Sequence, residues 1–207
     1  MDKAKLAKAL AACGLSAAAA ISGGYLIIPH EGEVRNKQGE HVVYLDPVGI
    51  PTYCWGLTGK DMYGKLPKVG KTYTEQECLT MFTDRVRHFE RVVDKYADHS
   101  YASPYQKAGL ISFAYNVGEG NYSSSSLLKK FNSGDNDGAC EGLLAWKYAK
   151  GKVLPGLVSR RQEEKLWCVG AVKQDVVVTF NDIVETVKNT YELRKSLEAS
   201  PETSSKE

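Results

Sequence analysis

Hydrophobic positions follow three successive patterns along this chain. Residues 9–28 carry no charged side chain over 20 positions. Residues 40–55 combine β-branched and aromatic residues with turn sequences, which is typical of short strands. From about residue 74 onward, apolar residues recur every three or four positions, which indicates amphipathic helices. The pattern therefore predicts an α+β protein with an apolar N-terminal segment, a small β-ribbon and a mainly helical lobe.

The apolar segment is long enough to cross a bilayer, since 20 helical residues span roughly 30 Å. Its hydrophobicity is low, because 12 of the 20 residues are Ala, Gly or Ser. Its six aliphatic side chains contribute only about −2 to −4 kcal/mol of insertion free energy. Lys3, Lys5 and Lys8 precede the segment and favour a cytoplasmic N-terminus with the body facing outward.

Three interpretations of this segment remain open. Its many small residues fit a cleaved signal peptide. The sequence LAAC at residues 10–13 resembles a lipoprotein cleavage box, although the apolar stretch between it and Lys8 is very short. The favoured interpretation is a signal-anchor that is retained, enters the membrane through the secretion machinery and later leaves it.

The β-rich residues predict a three-stranded antiparallel ribbon. NKQG at residues 36–39 and DPVG at residues 46–49 have turn chemistry. The β-rich run 41–45 lies between these turns, and a return strand over 50–55 follows the second turn.

Five core helices are predicted after residue 70, the first opened by a capping box of Thr74 and Glu77. They span about 74–96, 103–117, 125–131, 137–148 and 155–169, and Gly118-Glu119-Gly120 is predicted to end the second helix. In the C-terminal extension, residues 176–180 resemble a strand, and Asn181 caps an amphipathic stretch to about residue 198. The tail SPETSSKE is predicted to be disordered. The simplest interpretation of residues 172–207 is an extra helix packed on the body.

Composition narrows the possible partners. The net charge is +2 and the basic residues are scattered, so nucleic acid is not an expected partner. Five cysteines favour an oxidising compartment, and their odd number leaves one unpaired. The chain has no CxxC pair and no Cys/His zinc pattern, so we expect neither a metal nor another cofactor.

Candidate chemistry is concentrated at the start of the ribbon. Glu31 lies in a Glu-Gly step just after the apolar segment, Asp46 lies in the second turn, and Thr52 follows Asp46 by six residues. Two carboxylates held by a short ribbon are what acid/base cleavage of a glycosidic bond requires. Each residue taken singly has an ordinary structural explanation, and Glu33 and Glu40 compete with Glu31 for the role of the acid.

The combination of motifs resembles the active-site region of phage-type lysozymes, the T4-like glycoside hydrolase family. The first two motifs are E-G-x2-R from Glu31 and Y-x-D-x2-G-x-P-T-x3-G-x-T-G from Tyr44. Three downstream stretches agree in the same order: SFAYNVG at 112–118, the Gly-Ala-Cys helix running to Trp146, and PGL-x2-RR-x2-E at 155–164. The resemblance covers about residues 29–170 and implies a lysozyme-like fold.

The resemblance also implies an activity and a role for each site residue. The chain would be an N-acetylmuramidase that hydrolyses β-1,4 bonds between N-acetylmuramic acid and N-acetylglucosamine in peptidoglycan. Glu31 would protonate the glycosidic oxygen, while Asp46 and Thr52 would position and activate a water on the opposite face of the sugar. Glu31 and Asp46 are 15 residues apart, whereas the family more often has about nine. The surplus fits a longer hairpin tip at residues 36–41.

With its apolar segment, the chain resembles the signal-anchor-release (SAR) endolysins of phages that infect Gram-negative bacteria. This resemblance implies host secretion machinery, the inner membrane bound through residues 9–28, and a holin or pinholin acting indirectly through the membrane potential. We expect a monomer that is first anchored with a cytoplasmic N-terminus and then released to the periplasm. The predicted division is 1–28 for the anchor, 29–171 for the catalytic domain and 172–207 for the extension.

The cysteines are assigned only in part. The resemblance places Cys140 and Cys168 on neighbouring helices, and Cys54 could reach Cys78, but pairing is not provable from sequence. Cys13 would then be the unpaired thiol: a small buried residue, or a switch that exchanges with a bridge at Cys54 once the segment leaves the bilayer.

Two alternative functions remain open at this point. A lytic transglycosylase uses one catalytic acid without a water-activating partner and releases an anhydro sugar. A non-catalytic, membrane-anchored wall-binding protein would release no reducing ends from peptidoglycan.

Overall fold

The structure, a computed structural model, describes the backbone of residues 2–198 and the side chains of residues 2–189. The α-helices are α1 Lys3–Ala12, α2 Ala17–Ile21, α3 Glu75–Tyr96, α4 Pro104–Val117, α5 Glu119–Ser124, α6 Ser126–Asn132, α7 Asn136–Gly142, α8 Pro155–Cys168 and α9 Gln174–Glu198. The strands are β1 His41–Val42, β2 Tyr44–Leu45, β3 Pro51–Tyr53, β4 Leu57–Thr58, β5 Thr72–Tyr73, β6 Tyr148–Ala149 and β7 Lys152–Val153.

The apolar segment does not form one continuous helix. It runs through the end of α1, a turn at Gly14 with φ +87°, and α2. A π-helical stretch Ser22–Ile27 and a 3-10 turn Ile28–His30 follow. Of the helices within the described residues, none has both the length and the apolar character needed to cross a membrane.

The apolar side chains of this segment are buried in the body of the protein, where α1 packs directly against the π-helical stretch. A Cβ added at Gly24 would lie 2.8 Å from the backbone nitrogen of Ala7, so the two helices approach as closely as a glycine allows. Five of the segment's larger side chains reach the core: Leu10, Leu15, Ile21, Leu26 and Ile27.

Three strands form the antiparallel ribbon in the order β2-β3-β4, which confirms the predicted ribbon. Tyr44 pairs with Thr52, and Thr52 pairs with Thr58 on its other side. The predicted first strand is divided, however. β1 pairs with β5 instead, because the backbone of Val43 exchanges hydrogen bonds with Gly70 and Lys71.

The helical lobe surrounds α4, which is the buried central helix that the sequence predicts. The capping box at the start of α3 is present as predicted. Gly118, with φ +82°, ends α4, but α5 begins at once, so the predicted break is a single residue. The helix predicted over 137–148 is shorter, because α7 is followed by a 3-10 turn Leu143–Ala145 and then the β6–β7 hairpin.

The strand-like interpretation of residues 176–180 is wrong, because these residues lie inside α9. Asn181 likewise lies within that helix and does not cap it. Val176, Thr179 and Ile183 are buried, and their spacing places them on one helical face toward α1 and α2. Packing of that face against α1 and α2 outweighs the intrinsic preference of valine for strands, so the segment is helical. The tail predicted to be disordered, residues 200–207, lies outside the described residues.

Both expected disulfides are present, Cys54–Cys78 and Cys140–Cys168. The first joins the end of β3 to the first turns of α3, and the second joins α7 to the end of α8. Cys13 is a free cysteine in the turn between α1 and α2.

Candidate active site

Glu31 follows the 3-10 turn directly and is held by α8. The preceding residue, His30, contacts Glu163 through Nε2 and Oε2 at 2.9 Å. Arg160 Nη1 donates to Glu31 Oε1 at 2.8 Å. Only 18% of the Glu31 side chain is exposed, so the carboxyl group lies partly withdrawn from solvent beside a fixed cation.

A buried network fixes the arginine that holds Glu31. Arg160 Nε donates to Glu164 Oε1 at 3.1 Å, and Ser112 Oγ donates to the same oxygen at 2.7 Å. Arg161 also pairs with Glu164, and its Nη2 donates to Asn116 Oδ1 at 2.9 Å. Burial raises the pKa of Glu164, while the two arginines act in the opposite direction. The RR-x2-E motif is therefore the support for Glu31.

The turn between β3 and β4 closes the other side of Glu31. Cys54, Trp55 and Gly56 have φ values of +42°, +61° and +82°, which is a costly conformation for the first two residues. A Cβ on Gly56 would overlap Glu31 Oε2, so the carboxyl group rests against bare backbone. Tyr115 donates its hydroxyl to the Trp55 carbonyl at 3.0 Å and thereby ties this turn to α4.

Asp46 and Thr52 occupy the positions that the sequence predicts for them in the ribbon. Asp46 Oδ1 accepts from the backbone amides of Val48 and Ile50, at 2.9 and 2.8 Å. Its Oδ2 has no hydrogen-bond partner among the described residues, which leaves one oxygen for a water. Thr52 is buried in the central strand, and its hydroxyl donates to the Ile50 carbonyl at 3.1 Å.

Tyr44 of β2 lies beside the residue that follows Glu31. Its hydroxyl lies so close to Gly32 that a Cβ there would meet it at 2.8 Å. Burial raises the pKa of Tyr44, and the charges of Glu31 and Asp46 both add to that rise. Tyr44 also pairs with Thr52 across the ribbon, so one residue contacts both the start of the Glu31 segment and the central strand.

Glu33 and Glu40, the other candidates for the catalytic acid, are paired with nearby polar side chains. Glu33 pairs with Arg35 at 3.1 Å, and Glu40 Oε2 accepts from Asn36 Nδ2 at 2.7 Å. Glu40 belongs to the hairpin tip at 36–40, which is closed by backbone hydrogen bonds of Asn36 with Gly39 and Glu40, and Glu33 lies just before that tip. The longer tip thus absorbs the extra residues between Glu31 and Asp46, as the sequence predicts.

Sequence reasoning missed the supporting residues of this site. Arg160, Gly56 and Tyr44 belong to the motifs that carry the family resemblance, but their contacts with Glu31 or its neighbours were not apparent from spacing. Tyr115 lies in the SFAYNVG stretch that also carries the resemblance, but its hydrogen bond to the Trp55 carbonyl was not apparent from the sequence. Among the side chains of residues 2–189, no group of three or more His, Cys, Asp or Glu residues is arranged to hold a metal ion.

The ribbon, the central helix and the supported acid together define a glycoside hydrolase of the lysozyme type. The sequence model of the phage lysozyme family matches residues 36–164, and the chain belongs to that family. The matched region begins after Glu31.

Similar proteins extend this finding. A SAR-endolysin of Bacteriophage PS119 is 40% identical over 160 residues, covering 74% of this chain and 92% of that protein. A SAR-endolysin of Enterobacteria phage P21 is 38% identical over 158 residues, covering 73% and 92% respectively. The solved endolysin from Escherichia coli O157:H7 phage FAHEc1 has a TM-score of 0.61 at 26% identity, covering 73% of this chain and 92% of that one.

Proposed function

We propose that this protein is an endolysin that hydrolyses the β-1,4 bond between N-acetylmuramic acid and N-acetylglucosamine in peptidoglycan. The observation that carries the proposal is the Glu31 carboxyl group, clamped by Arg160 against the bare backbone of Gly56. Such fixation supports catalysis, because a positioned acid needs no reorganisation when it transfers its proton.

The proposed mechanism assigns one task to each residue. Glu31 donates a proton to the glycosidic oxygen. Asp46 uses its free oxygen to take a proton from a water that Thr52 helps to position. The water attacks the opposite face of the sugar, so the configuration at the anomeric carbon inverts. Arg160 and Gly56 hold the acid and take no part in proton transfer.

Digestion of purified peptidoglycan with product analysis tests this proposal. A hydrolase releases new reducing ends. Anhydro-muramic products would instead identify a lytic transglycosylase, and an absence of cleavage would identify a wall-binding protein.

The role of Glu31 is tested by comparing Glu31→Gln with Glu33→Gln. Loss of the general acid should reduce cleavage by about 10²- to 10⁴-fold, which is the usual contribution of such a group. Glu33→Gln removes an acid two residues away that is paired with Arg35, so it should retain activity. Equal activity of Glu31→Gln and the unmodified enzyme would assign the acid elsewhere.

We further propose that residues 9–28 are a signal-anchor that first holds the enzyme at the inner membrane, and that the structure corresponds to the released form. Support comes from the uncharged segment and from the similar SAR-endolysins. The segment leads directly into the 3-10 turn before Glu31, so its packing determines where the acid lies. Export by the secretion machinery and release after a holin collapses the membrane potential complete this proposal. The boundaries 1–28, 29–171 and 172–207 stay a prediction.

A thiol switch is not part of this proposal. Cys54 is bonded to Cys78, and Cys13 is free, with its carbonyl accepting from Arg87 Nη2 at 3.0 Å. Activation then requires refolding of the segment without disulfide exchange. Mass mapping of the released active enzyme checks this, because a bridge to Cys13 would restore the switch.

A further inference from the structure

The loop between β4 and β5, residues 60–71, exposes an unusual set of side chains. Four of its 12 residues are lysines, in the sequence KDMYGKLPKVGK. Between them, Met62, Tyr63, Leu66 and Val69 are 48%, 56%, 72% and 56% exposed. Clustered apolar side chains that remain in water mark surfaces that bind a partner. We call residues 60–71 the lysine loop.

The lysine loop is held in shape from within by Asp61. Asp61 Oδ1 accepts from the amides of Tyr63 and Lys65 at 3.0 Å, and Oδ2 accepts from Lys71 Nζ at 2.6 Å and Tyr73 hydroxyl at 2.7 Å. Burial opposes ionisation of Asp61, but these hydrogen bonds hold its pKa well below the usual range. The loop is therefore ordered before it meets a partner, which reduces the entropy lost on binding.

Once the Asp61–Lys71 ion pair is set aside, the lysine loop carries a net positive charge. Lys71 neutralises Asp61, which is the only acid in the loop. Lys60, Lys65 and Lys68 are exposed and form no ion pair with any residue that the structure describes. Three free cations thus alternate with the exposed apolar residues.

A neighbouring cavity continues the basic surface. It has a volume of about 340 Å³ and is lined by Lys60 and Met62 of the loop and by Arg85 and His88 of α3. Asp61 and Asp84 also line it, but Asp61 is paired with Lys71 at 2.6 Å and Asp84 with Arg87 at 2.7 Å. The cavity can therefore accept an anionic group beside the loop.

We propose that the lysine loop docks the folded enzyme on an anionic phospholipid surface. Leu66 and Val69 would enter the boundary between headgroups and acyl chains, while Lys60, Lys65 and Lys68 pair with lipid phosphates. Leu66 and Val69 offer neither a ring face nor hydrogen bonds to a sugar. The Tyr63 hydroxyl is engaged by Glu77 at 2.6 Å, and Lys71 Nζ lies over the Tyr63 ring at 5.2 Å. These contacts favour lipid over the glycan strand. This contact is separate from residues 9–28, whose apolar side chains are buried in this structure. It would keep the released enzyme in the layer between the membrane and the wall.

Vesicle co-sedimentation with the full-length folded protein tests the proposal. The probe is vesicles of phosphatidylethanolamine and phosphatidylglycerol, with pure phosphatidylcholine vesicles for comparison. We expect binding to the anionic vesicles only, weakened by salt. Lys60→Gln, Lys65→Gln and Lys68→Gln combined should weaken partitioning on the order of 100-fold, since each lysine near such a surface contributes roughly fivefold. Leu66→Ser with Val69→Ser should weaken it about tenfold or more.

Matched control variants alter equally exposed residues outside the loop. Lys129→Gln, Lys130→Gln and Lys152→Gln remove the same charge, and Leu166→Ser with Val169→Ser remove the same apolar groups. Both controls should bind like the unmodified protein. Unchanged binding by the loop variants would overturn the proposal and assign the membrane contact to residues 9–28. Failure of the unmodified protein to bind anionic vesicles would also overturn it.

Two further measurements identify other outcomes. If the loop variants lose binding to purified peptidoglycan and keep vesicle binding, the loop contacts the wall and the proposal is wrong. Cleavage of soluble peptidoglycan fragments should be the same in all variants, because the loop contains no residue of the active site. If the unmodified enzyme does not cleave soluble peptidoglycan fragments, the proposed function is contradicted. The vesicle result is independent of that outcome.

Discussion

At the residue scale, Glu31 is positioned by groups distant in sequence. Arg160 approaches it from α8, Gly56 from the ribbon, and Tyr44 lies against the next residue. None of these contacts depends on the local conformation of Glu31, which is ordinary extended backbone after a 3-10 turn. The acid is thus defined by its surroundings, and changes at neighbouring positions should affect activity even when the acid itself is intact.

Gly56→Ala should remove activity at a modest cost in stability. The added Cβ overlaps Glu31 Oε2, and a positive φ costs a non-glycine residue roughly 1 kcal/mol or more. Gly59→Ala is the matched control, because Gly59 has a φ of +83° but nothing within 4 Å of a Cβ. Unfolding in urea and wall-cleavage assays should show both variants destabilised and only Gly56→Ala inactive. Equal activities would show that the carboxyl group can move without loss.

His41 should make stability depend on pH. Its ring is buried between Glu75, Glu33 and Arg35, and burial lowers the pKa of His41 although the hydrogen bond to Glu75 opposes this. Below the unfolded value of about 6.5, the unfolded chain binds a proton that the folded chain does not. The free energy of unfolding should therefore fall as the pH is lowered from about 7.5 to about 5.5.

The comparison of His41→Gln with His99→Gln isolates this effect. His41→Gln should lower stability at neutral pH and flatten its pH dependence, whereas substitution of the exposed His99 should leave the slope in place. Urea unfolding across the pH range measures both variants. A slope that persists in His41→Gln would have to come from another group.

At the element scale, α9 packs on the segment that is proposed to leave the membrane. The Tyr25 hydroxyl lies 2.9 Å from Thr179 Oγ1, and Lys8 Nζ lies 2.8 Å from Asp182 Oδ2. The C-terminal extension therefore covers α1 and α2 in this structure, which gives the added helix a structural task.

Ile183→Ala should weaken this cover. The side chain is 1% exposed, and truncation of a buried isoleucine costs roughly 2 to 5 kcal/mol. Val178→Ala, on the exposed face of the same helix, should change stability by less than about 0.5 kcal/mol. Urea unfolding of the two variants measures the difference. Similar effects would show that α9 contributes little packing energy to the body.

At the scale of the whole molecule, residues 9–28 are proposed to lie first in the membrane and later in the folded core. Its alanines and glycines make insertion into lipid weak, and the same small side chains let α1 approach the π-helical stretch. Low hydrophobicity and close packing are thus two consequences of one composition.

Gly24→Leu should trap the enzyme before activation, because its side chain would collide with the backbone of Ala7 and Lys3 in the packed form. Ala12→Leu places the same leucine side chain at an exposed position and is the control for hydrophobicity. Membrane fractionation and lysis timing in cells should show strong retention and loss of lysis with Gly24→Leu and a smaller delay with Ala12→Leu. Equal retention would show that hydrophobicity alone governs release.

The sequence by itself determined the class of fold, the capped helices and the order of the catalytic ribbon. These features depend on local signals: the capping box at Thr74, the glycine at 118, and turn residues such as those at 46–49. The resemblance of the motifs to the phage lysozyme family also singled out Glu31, Asp46 and Thr52 as the candidate site, although Glu31 and Asp46 are farther apart in sequence than is usual in the family.

Only the tertiary structure decided how distant elements meet. Residues 176–180 became helical because one face could bury against α1 and α2, which no local preference encodes. The division of residues 9–28 and the clamp of Arg160 on Glu31 likewise depend on contacts between residues far apart in the chain. Such contacts are selected by the burial of apolar surface and the pairing of charges in the folded core, so they exist only once the whole chain is assembled.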